Sequence, residues 1–307
     1  MTQAWLKVPE MTPEQWLNWR DDGVGGSDAP AIMNVSPWCT YYGKWEEKVY
    51  KKRSGDNSSK KYGRDTEEAS RREYEDLVGM YMPAAHIENT KESWLRASLD
   101  GMSSNGKQLL EIKKANKEDH AMALQGKVPD KYFPQCQHIL RVHDEAESID
   151  YFSSPADGSP GKIVKVYRED KYIKEQLYPT ECQFWEQVTS NKAPALTERD
   201  YLNMENNKKW LEASQRWKET TRSLKDLENL ERVLRQELIA LSKNHNAKGN
   251  NLSLTKSIVK GSIDYTQAFA DYVANMKAHY PEIDFRPIVL EPYRKDSFVK
   301  WTFRDME

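Results

Sequence analysis

The sequence predicts a mixed α/β fold, a small sheet flanked by helices, followed by a long helical arm and a small α+β extension. Three observations carry this. Short apolar or alternating runs, 94–99 (WLRASL), 108–113 (QLLEIK) and 148–153 (SIDYFS), are bounded by Gly, Asn or Asp and read as strands. Longer stretches around them have helical periodicity. From about residue 197 the composition shifts, and Trp210, Trp217, Leu224, Leu227, Leu234, Leu238 and Leu241 recur at spacings of seven, three or four in a charged segment, the pattern of a long amphipathic helix or a helical hairpin.

In chain order, 11–19 (MTPEQWLNW) forms a short helix with Thr12 as N-cap and Pro13 at the first helical position. The turn-rich DDGVGGSDAP then opens another helical stretch, with Ser27 or Asp28 as N-cap. Residues 43–52 and 64–79 read as helices, the second with Glu67, Ala69, Tyr74 and Leu77 sharing faces. DGMSSNG between the first two strands is a hairpin-type connection. YFPQCQHILRVH is helical, KIVKVY (162–167) is a strand, and 169–191 is a helix with a ladder of Ile173, Leu177, Phe184 and Val188, broken at Pro179. The arm ends at NHNAKGNN. Strand-like LSLTKSIVKGSIDY and DSFVKWTFRD then surround a short helix near 266–279. The expected division is 1–196, 197–248 and 249–307. The arm is read as packing against its own core or a partner helix, with a DNA-gripping role for its Lys and Arg as the alternative.

A chain of 307 residues with 38% hydrophobic and 31% charged residues suits a globular protein with much exposed surface. No run approaches the roughly 18 apolar residues that suggest a membrane span. The N-terminal stretch lacks a basic region followed by an apolar core, so no secretory signal and no membrane association are expected. Cys39, Cys136 and Cys182 are scattered and form no CxxC pair, which excludes a zinc knuckle and a disulfide framework and leaves a reducing compartment as the expectation. A net charge of −2 argues against a protein that coats nucleic acid. It leaves room for a local basic channel beside buried carboxylates.

The chemistry centres on Asp100 and, eleven residues later, Glu111-Ile112-Lys113. Strand side chains alternate, so Glu111 and Lys113 share one face while Ile112 turns to the core. A hairpin then brings Asp100 beside them. Two carboxylates and a lysine suit metal-assisted phosphodiester hydrolysis. Mg²⁺ takes hard oxygen ligands and keeps several waters, so Asp100, Glu111 and the Ile112 backbone carbonyl are the expected ligands. Lys113 is placed to orient the attacking water and to add positive charge beside the scissile phosphate.

Several segments in order, GVGGSDAPAIMNVSPWCTYYGKWEEKV, KYGRDTEEASRREYE, ASLDG, LLEIKKA and GKVPDKYFPQCQHIL, cover roughly residues 15–155. Together they resemble the lambda exonuclease / YqaJ-like viral recombinase family of the PD-(D/E)xK superfamily, which implies a restriction-endonuclease-like core. Two positions depart from the pattern: Glu68 stands where relatives often have proline and Leu99 where some relatives do, and neither removes a ligand. The resemblance implies that Glu67 reaches the metal site, that Gln135 supports it as a catalytic residue, and that Gln137 helps bind a terminal phosphate. Residues two apart on a helix cannot share a face, and structural hydrogen bonding is the rival role for Gln135. Arg20, Ser27 and Ser98 match the family's 5′-phosphate pocket. An arginine forks onto phosphate, and a serine at a helix start adds a hydroxyl where the dipole favours an anion. Ser27 also suits a plain N-cap, and Arg20 an ion pair with Asp21 or Asp22.

The family further implies two Mg²⁺ ions per site with Mn²⁺ as substitute, resection of linear duplex DNA from a 5′-phosphorylated end, a trimeric homo-oligomeric ring, a single-strand annealing recombination protein as partner, and a cytoplasmic phage or prophage setting in a bacterial host. The alternatives are a PD-(D/E)xK endonuclease and a non-catalytic DNA-binding or assembly protein on the same fold. Three scattered cysteines cannot supply the four of an iron–sulfur nuclease. His138 and His143 read as structural or surface residues, and most of the ten tryptophans as core. Trp38, Tyr41 and Tyr42, on a turn next to the phosphate pocket, are the candidates for touching DNA ends.

Overall fold

Thr12 begins the first helix by a reciprocal cap, its hydroxyl accepting from Gln15 N–H while the Gln15 side chain accepts from Thr12 N–H. In the computed structural model, which describes residues 5–51, 58–243, 245–257 and 265–281, the chain divides into two units, Met1–Leu202 and Asn203–Glu307.

The first unit begins with β1 (Trp5–Lys7), α1 (Pro13–Asp21) and β2 (Val24–Gly25). A 3₁₀ turn, Gly26–Asp28, leads into α2 (Ala29–Ile32), followed by α3 (Tyr41–Tyr50) and the long α4 (Ser58–Val78). Next come β3 (Ala85–Asn89), β4 (Leu95–Leu99), β5 (Gly101–Met102) and β6 (Leu109–Ala115). After α5 (Lys117–Leu124) and α6 (Phe133–Val142) come β7 (Ser148–Pro155) and β8 (Lys162–Tyr167). The unit closes with α7 (Asp170–Tyr172), a π-helical turn Ile173–Leu177 and α8 (Tyr178–Thr189).

Two four-stranded sheets result, ordered β1-β3-β4-β2 and β5-β6-β7-β8. In the first, β3 and β4 pair antiparallel with His86 opposite Ser98. Their period-two burial sends Ile87, Leu95, Ala97 and Leu99 into the core and leaves His86 and Ser98 on the other face. In the second, β6 and β7 run parallel with Glu111 opposite Tyr151. The crossover that parallel strands require contains α5 and α6.

The core has two sides. Ile139 and Leu140 of α6 pack with residues of both sheets, Ile87, Leu99, Leu109 and Tyr151 among them. On the opposite side, Tyr74 of α4 packs with Leu110, Ile112 and Phe152. Strand β6 is therefore covered on both faces. Its alternation gives Leu110 and Ile112 to α4 and leaves Glu111 facing α6. Each fully buried side chain of this size contributes about 1.5–3 kcal/mol.

Four sequence expectations need correction. DGMSSNG does not join β4 to β6 as a hairpin. The chain leaves the first sheet at Asp100, and Gly101 and Met102 pair with Leu110 and Leu109 in the second. A Cβ on Gly101 would lie 2.9 Å from both the Met82 carbonyl and Leu110 Cδ2, so the close approach at this bend needs glycine. On α4 the buried stripe is Ser70 and Tyr74, while Ala69 and Leu77 are exposed, because the i, i+4 row directed at Phe152 passes through Tyr74. Of the two N-cap candidates, Asp28 and not Ser27 stands at the N-cap of α2. It makes no side-chain cap bond there, its carboxylate accepting from Gly25 N–H instead. Pro179 does not break the helix. Lacking an N–H, it sits in the first turn of α8, and the preceding backbone widens so that Tyr178 N–H bonds to the Ile173 carbonyl five residues back.

The second unit contains α9 (Lys208–Leu241), one helix of 34 residues capped by Asn207, with no buried side chain. A hairpin of β9 (Ala247–Gly249) and β10 (Leu252–Leu254) follows, its turn made by Asn250 and Asn251 at φ of 48° and 59°. Then comes α10 (Tyr265–His279). The expected strands DSFVKWTFRD and most of SIVKGSIDY lie outside the described residues.

Candidate active site

Asp100 stands where the chain passes from one sheet to the other, and β6 presents Glu111 and Lys113 beside it. One Asp100 carboxylate oxygen accepts from Ile112 N–H at 2.6 Å. The Asp100 carbonyl accepts from Arg71 Nε, also at 2.6 Å, so strand and helix both fix this residue. Glu111 is 2% exposed. Its Oε1 receives the Lys113 ammonium at 2.5 Å and the Gln135 amide of α6 at 2.5 Å. Its Oε2 is buried with no hydrogen-bond partner. Glu67 is a half-exposed neighbour, paired with Arg71 at 2.6 Å.

A second cluster adjoins the first. Arg20 donates to Ser27 Oγ at 2.7 Å and lies over the Trp16 ring at 5.4 Å. The Trp16 indole donates to Ser98 Oγ at 3.2 Å, and His86 Nδ1 stands 3.0 Å from the same oxygen. Behind Ser27, the buried Asp28 carboxylate pairs with Lys48 at 2.8 Å and Lys44 at 3.3 Å. Lys48 also donates to the carbonyls of Arg20 and Gly23 at 2.8 and 2.7 Å. Its three bonds tie the end of α1 to the 3₁₀ turn that carries Ser27. A Cβ on Gly26 would fall 3.2 Å from Ile139 and 3.4 Å from Gln135. The Arg20–Ser27 cluster thus sits directly against the helix that holds Glu111.

Residues 15–146 match the sequence model of the YqaJ-like viral recombinase domain. Over this segment the chain resembles the YqaJ-like viral recombinase domain. The chain is similar to the uncharacterized protein YqaJ of Bacillus subtilis (strain 168), 26% identical over 216 residues that make up 66% of this chain and 67% of that one. Its fold is similar to that of an alkaline exonuclease, LHK-Exo from Laribacter hongkongensis, with a TM-score of 0.50 and 20% identity over 58% of this chain and 93% of the other. The likeness to LHK-Exo is one of fold. It agrees with the mixed α/β class, a small sheet flanked by helices, read from the sequence.

In this YqaJ-like domain, Asp100, Glu111, Lys113 and Gln135 come together, with Glu67 at their edge. Arg20, Ser27 and Ser98 form a second group linked through Trp16. Gln137 joins neither. It is fully buried, donating to the Tyr167 carbonyl at 2.8 Å and accepting from Glu169 N–H at 2.9 Å, so both ends of its amide are spent on holding β8 and α7 to α6. Arg20 pairs with Ser27, and at 3.9 Å with Asp28. Tyr41 and Tyr42 are half-buried, packed with Trp45 and Phe184, while Trp38 is 67% exposed. Buried His138 is bonded to Glu181 at 2.6 Å and to the Arg96 carbonyl at 2.9 Å. His143 stacks on Trp5 with ring centres 4.4 Å apart. Both are structural.

Sequence reasoning missed Arg71, Asp28, Lys44, Lys48 and Tyr132. A signal existed for three of them. Arg71 stands four residues after Glu67, and Lys44 and Lys48 are four apart on one helix face. Nothing in the local sequence pointed to the buried state of Asp28, or to Tyr132, whose ring centre lies 5.4 Å from Lys113 Nζ.

The electrostatics are those of a crowded acidic site. Burial, and then the Glu111 charge, push the Asp100 carboxyl up to about 7, against the pull of Lys113. Burial likewise raises Glu111 against Lys113 and Gln135, and burial with Asp100 raises Glu67. Burial opposes the Lys113 charge, but Glu111 and Asp100 outweigh it and hold the ammonium protonated. Asp28 behaves oppositely. Burial works against its ionised form, yet Lys48, Lys44 and Arg20 overcome this and hold it well below the usual carboxylate range.

The donor set suits a hard divalent cation. Raised carboxylates and an orphaned, buried Glu111 oxygen mark negative charge without enough partners. Among the described residues no three His, Cys, Asp or Glu side chains converge as a ready metal cage. Two carboxylates completed by a carbonyl and waters suit Mg²⁺, which seldom occupies an all-protein cage. A pH dependence follows, with its sign. A carboxylate whose folded pKa is raised takes up protons that the unfolded chain releases, so its destabilisation grows between about 3.8 and about 7. Without metal, this site should lower the melting temperature more at pH 8 than at pH 5.5. Mg²⁺ should restore more at pH 8, because it binds the ionised form. Thermal melts at both pH values, with and without Mg²⁺, check this. Asp100→Asn should erase most of the difference.

Proposed function

We propose that this chain is a Mg²⁺-dependent exonuclease that degrades linear duplex DNA in the 5′ to 3′ direction from a 5′-phosphorylated end, leaving a 3′ single strand for recombination. The observation that carries the reading is that Gly26, the neighbour of Ser27, packs against Ile139 and Gln135 of α6, the helix whose Gln135 bonds to Glu111. A carboxylate–lysine–glutamine cluster suited to phosphodiester hydrolysis and an Arg20–Ser27 pair suited to a terminal phosphate are thus joined through one helix.

Asp100, Glu111 and the Ile112 carbonyl would hold Mg²⁺, and Glu67 is the nearest further acid for a second ion. A bound ion supplies charge neutralisation at the phosphate and a nucleophilic water at neutral pH. Lys113 places a fixed positive charge where negative charge grows on the scissile phosphate. Gln135 holds Glu111 in its rotamer, and Arg71 holds Asp100 at the sheet junction. Arg20 has two donating edges on its guanidinium, and Ser27 occupies one of them. An end-bound phosphate would exchange with or join that contact, fixing which phosphodiester reaches Lys113. The trimeric ring and the annealing partner rest on the family resemblance.

The test uses end-labelled linear duplexes with a 5′-phosphate or a 5′-hydroxyl, beside closed circular plasmid, in Mg²⁺. The phosphorylated linear strand should be lost and circles left intact. Arg20→Ala should reduce the rate on phosphorylated ends by about 10- to 100-fold, the worth of a charged hydrogen bond, and should leave the hydroxyl ends little changed. Cutting of circles would replace the exonuclease by an endonuclease. Equal rates on both ends in the unmodified chain would remove the phosphate pocket.

A further inference from the structure

Trp38 is 67% exposed, yet the turn that carries it is firmly held. The backbone N–H groups of Trp38 and Cys39 both donate to Ser36 Oγ at 3.2 Å. The Ser36 carbonyl accepts from Arg199 at 2.9 Å. The indole lies 6.0 Å from the Tyr132 ring, with 31° between their planes. The Lys131 ammonium stands 5.4 Å from the Trp38 ring and 5.2 Å from the Tyr132 ring, and Asp119 fixes it at 2.8 Å. The Tyr132 ring also has the Lys113 ammonium 5.4 Å from its centre. Two aromatic rings and two ammonium groups thus lead from the reacting lysine out to solvent.

We propose that Trp38 and Tyr132 form a stacking platform for an unpaired base of the strand being cleaved, with Lys131 facing its backbone phosphate. A base inside a duplex already has both faces stacked, so an aromatic edge of this kind takes only a base that has left the helix. An indole held in place loses little freedom when a base covers it, and base–aromatic stacking is indifferent to sequence. The Lys131 charge over both rings adds attraction for the phosphate without reading the base. The platform holds the end of the duplex open beside Lys113, so the first nucleotides reach the site as a single strand. This inference rests on the nuclease reading for its location, but its test does not depend on cleavage.

Binding is measured by fluorescence anisotropy on the full chain in EDTA. The probe is a 5′-phosphorylated duplex whose first three nucleotides on that strand are mismatched, with one abasic position moved through them. Trp38→Ala should weaken binding about tenfold, within the range of a lost base stack, and Trp38→Phe should keep most of the affinity. At one position the abasic probe should weaken the unmodified chain by a similar factor and Trp38→Ala no further. Trp38 is too exposed for its truncation to open a core, and an unchanged melting temperature would verify that. Unchanged affinity in Trp38→Ala, or an equal loss at every abasic position, overturns the platform. Loss of the nuclease reading would appear separately, as absence of cleavage by the unmodified chain in Mg²⁺.

Discussion

Replacing Lys113 by alanine should reduce DNA hydrolysis by about 100- to 1,000-fold, the range for removing one fixed group that stabilises developing charge, while DNA binding in EDTA stays within a few-fold. The same change carries a stability signature that separates a charge role from a packing role. Lys113 is the cation bonded directly to Glu111, which is buried and raises the neighbouring Asp100 by its like charge. Without Lys113, two carboxylates share a desolvated site, with Arg71 on the Asp100 carbonyl and the neutral Gln135 amide on Glu111. Breaking a buried pair from one side costs about 3–5 kcal/mol, part of which the site recovers by protonation. Lys113→Ala should therefore melt lower than the unmodified chain at pH 8, and the gap should narrow at pH 5.5, where Asp100 takes a proton. Glu111→Gln should be equally inactive but should lose the pH-dependent part of this penalty. A Lys113→Ala chain that hydrolyses DNA within a few-fold of the unmodified rate would remove the proposed chemistry.

Asp28→Asn should be the most destabilising single substitution around the Arg20–Ser27 pair. The carboxylate is 1% exposed and faces Lys48, Lys44 and Arg20. Neutralising it leaves two largely buried ammonium groups without their main counter-charge, a loss of about 3–5 kcal/mol. For a chain of this size that corresponds to a fall of roughly 10 °C or more in melting temperature. The pH sign is opposite to that of Asp100. The Asp28 pKa is lowered on folding, so its contribution is full above the unfolded value near 3.8 and is lost as pH falls through the folded one. Urea titrations of both chains between pH 4 and pH 8 check the size of the effect. A difference under about 1 kcal/mol would show that water, not Asp28, balances these lysines. Because Lys48 also holds the Arg20 and Gly23 carbonyls, the variant that remains folded should lose much of its preference for a 5′-phosphate.

The strand that bears Glu-x-Lys was legible because its information is local. In LLEIK the two-residue period alone sets Glu111 and Lys113 apart from Ile112, and the structure places Ile112 against Tyr74 and Phe152 while Glu111 meets Gln135. The Thr12 cap was legible for the same reason, since donor and acceptor are three residues apart. The junction at Asp100 was not. A strand, a polar turn and a second strand is the pattern of a hairpin, and nothing within it says that β4 already has β3 and β2 as neighbours. Gln137 shows the same limit from the other side. Its resemblance to a phosphate ligand lies in the sequence, while the Tyr167 and Glu169 backbone groups that occupy it are 30 or more residues away.

By itself, then, the sequence determined the α/β class, the strand that bears Glu-x-Lys, the family resemblance and the long arm. Each depends on periodicity or on motifs readable within a few residues. Only the tertiary structure decided that Asp100 stands at a break between two sheets, that Arg71 and Gln135 hold the two carboxylates, and that Asp28 with two lysines fixes the Arg20–Ser27 pair. It also decided that Tyr132 and Trp38 extend outward from Lys113. The physical reason is burial. A charge that is solvated in the unfolded chain acquires its partners, and its shifted protonation, only when segments far apart in sequence exclude water around it together.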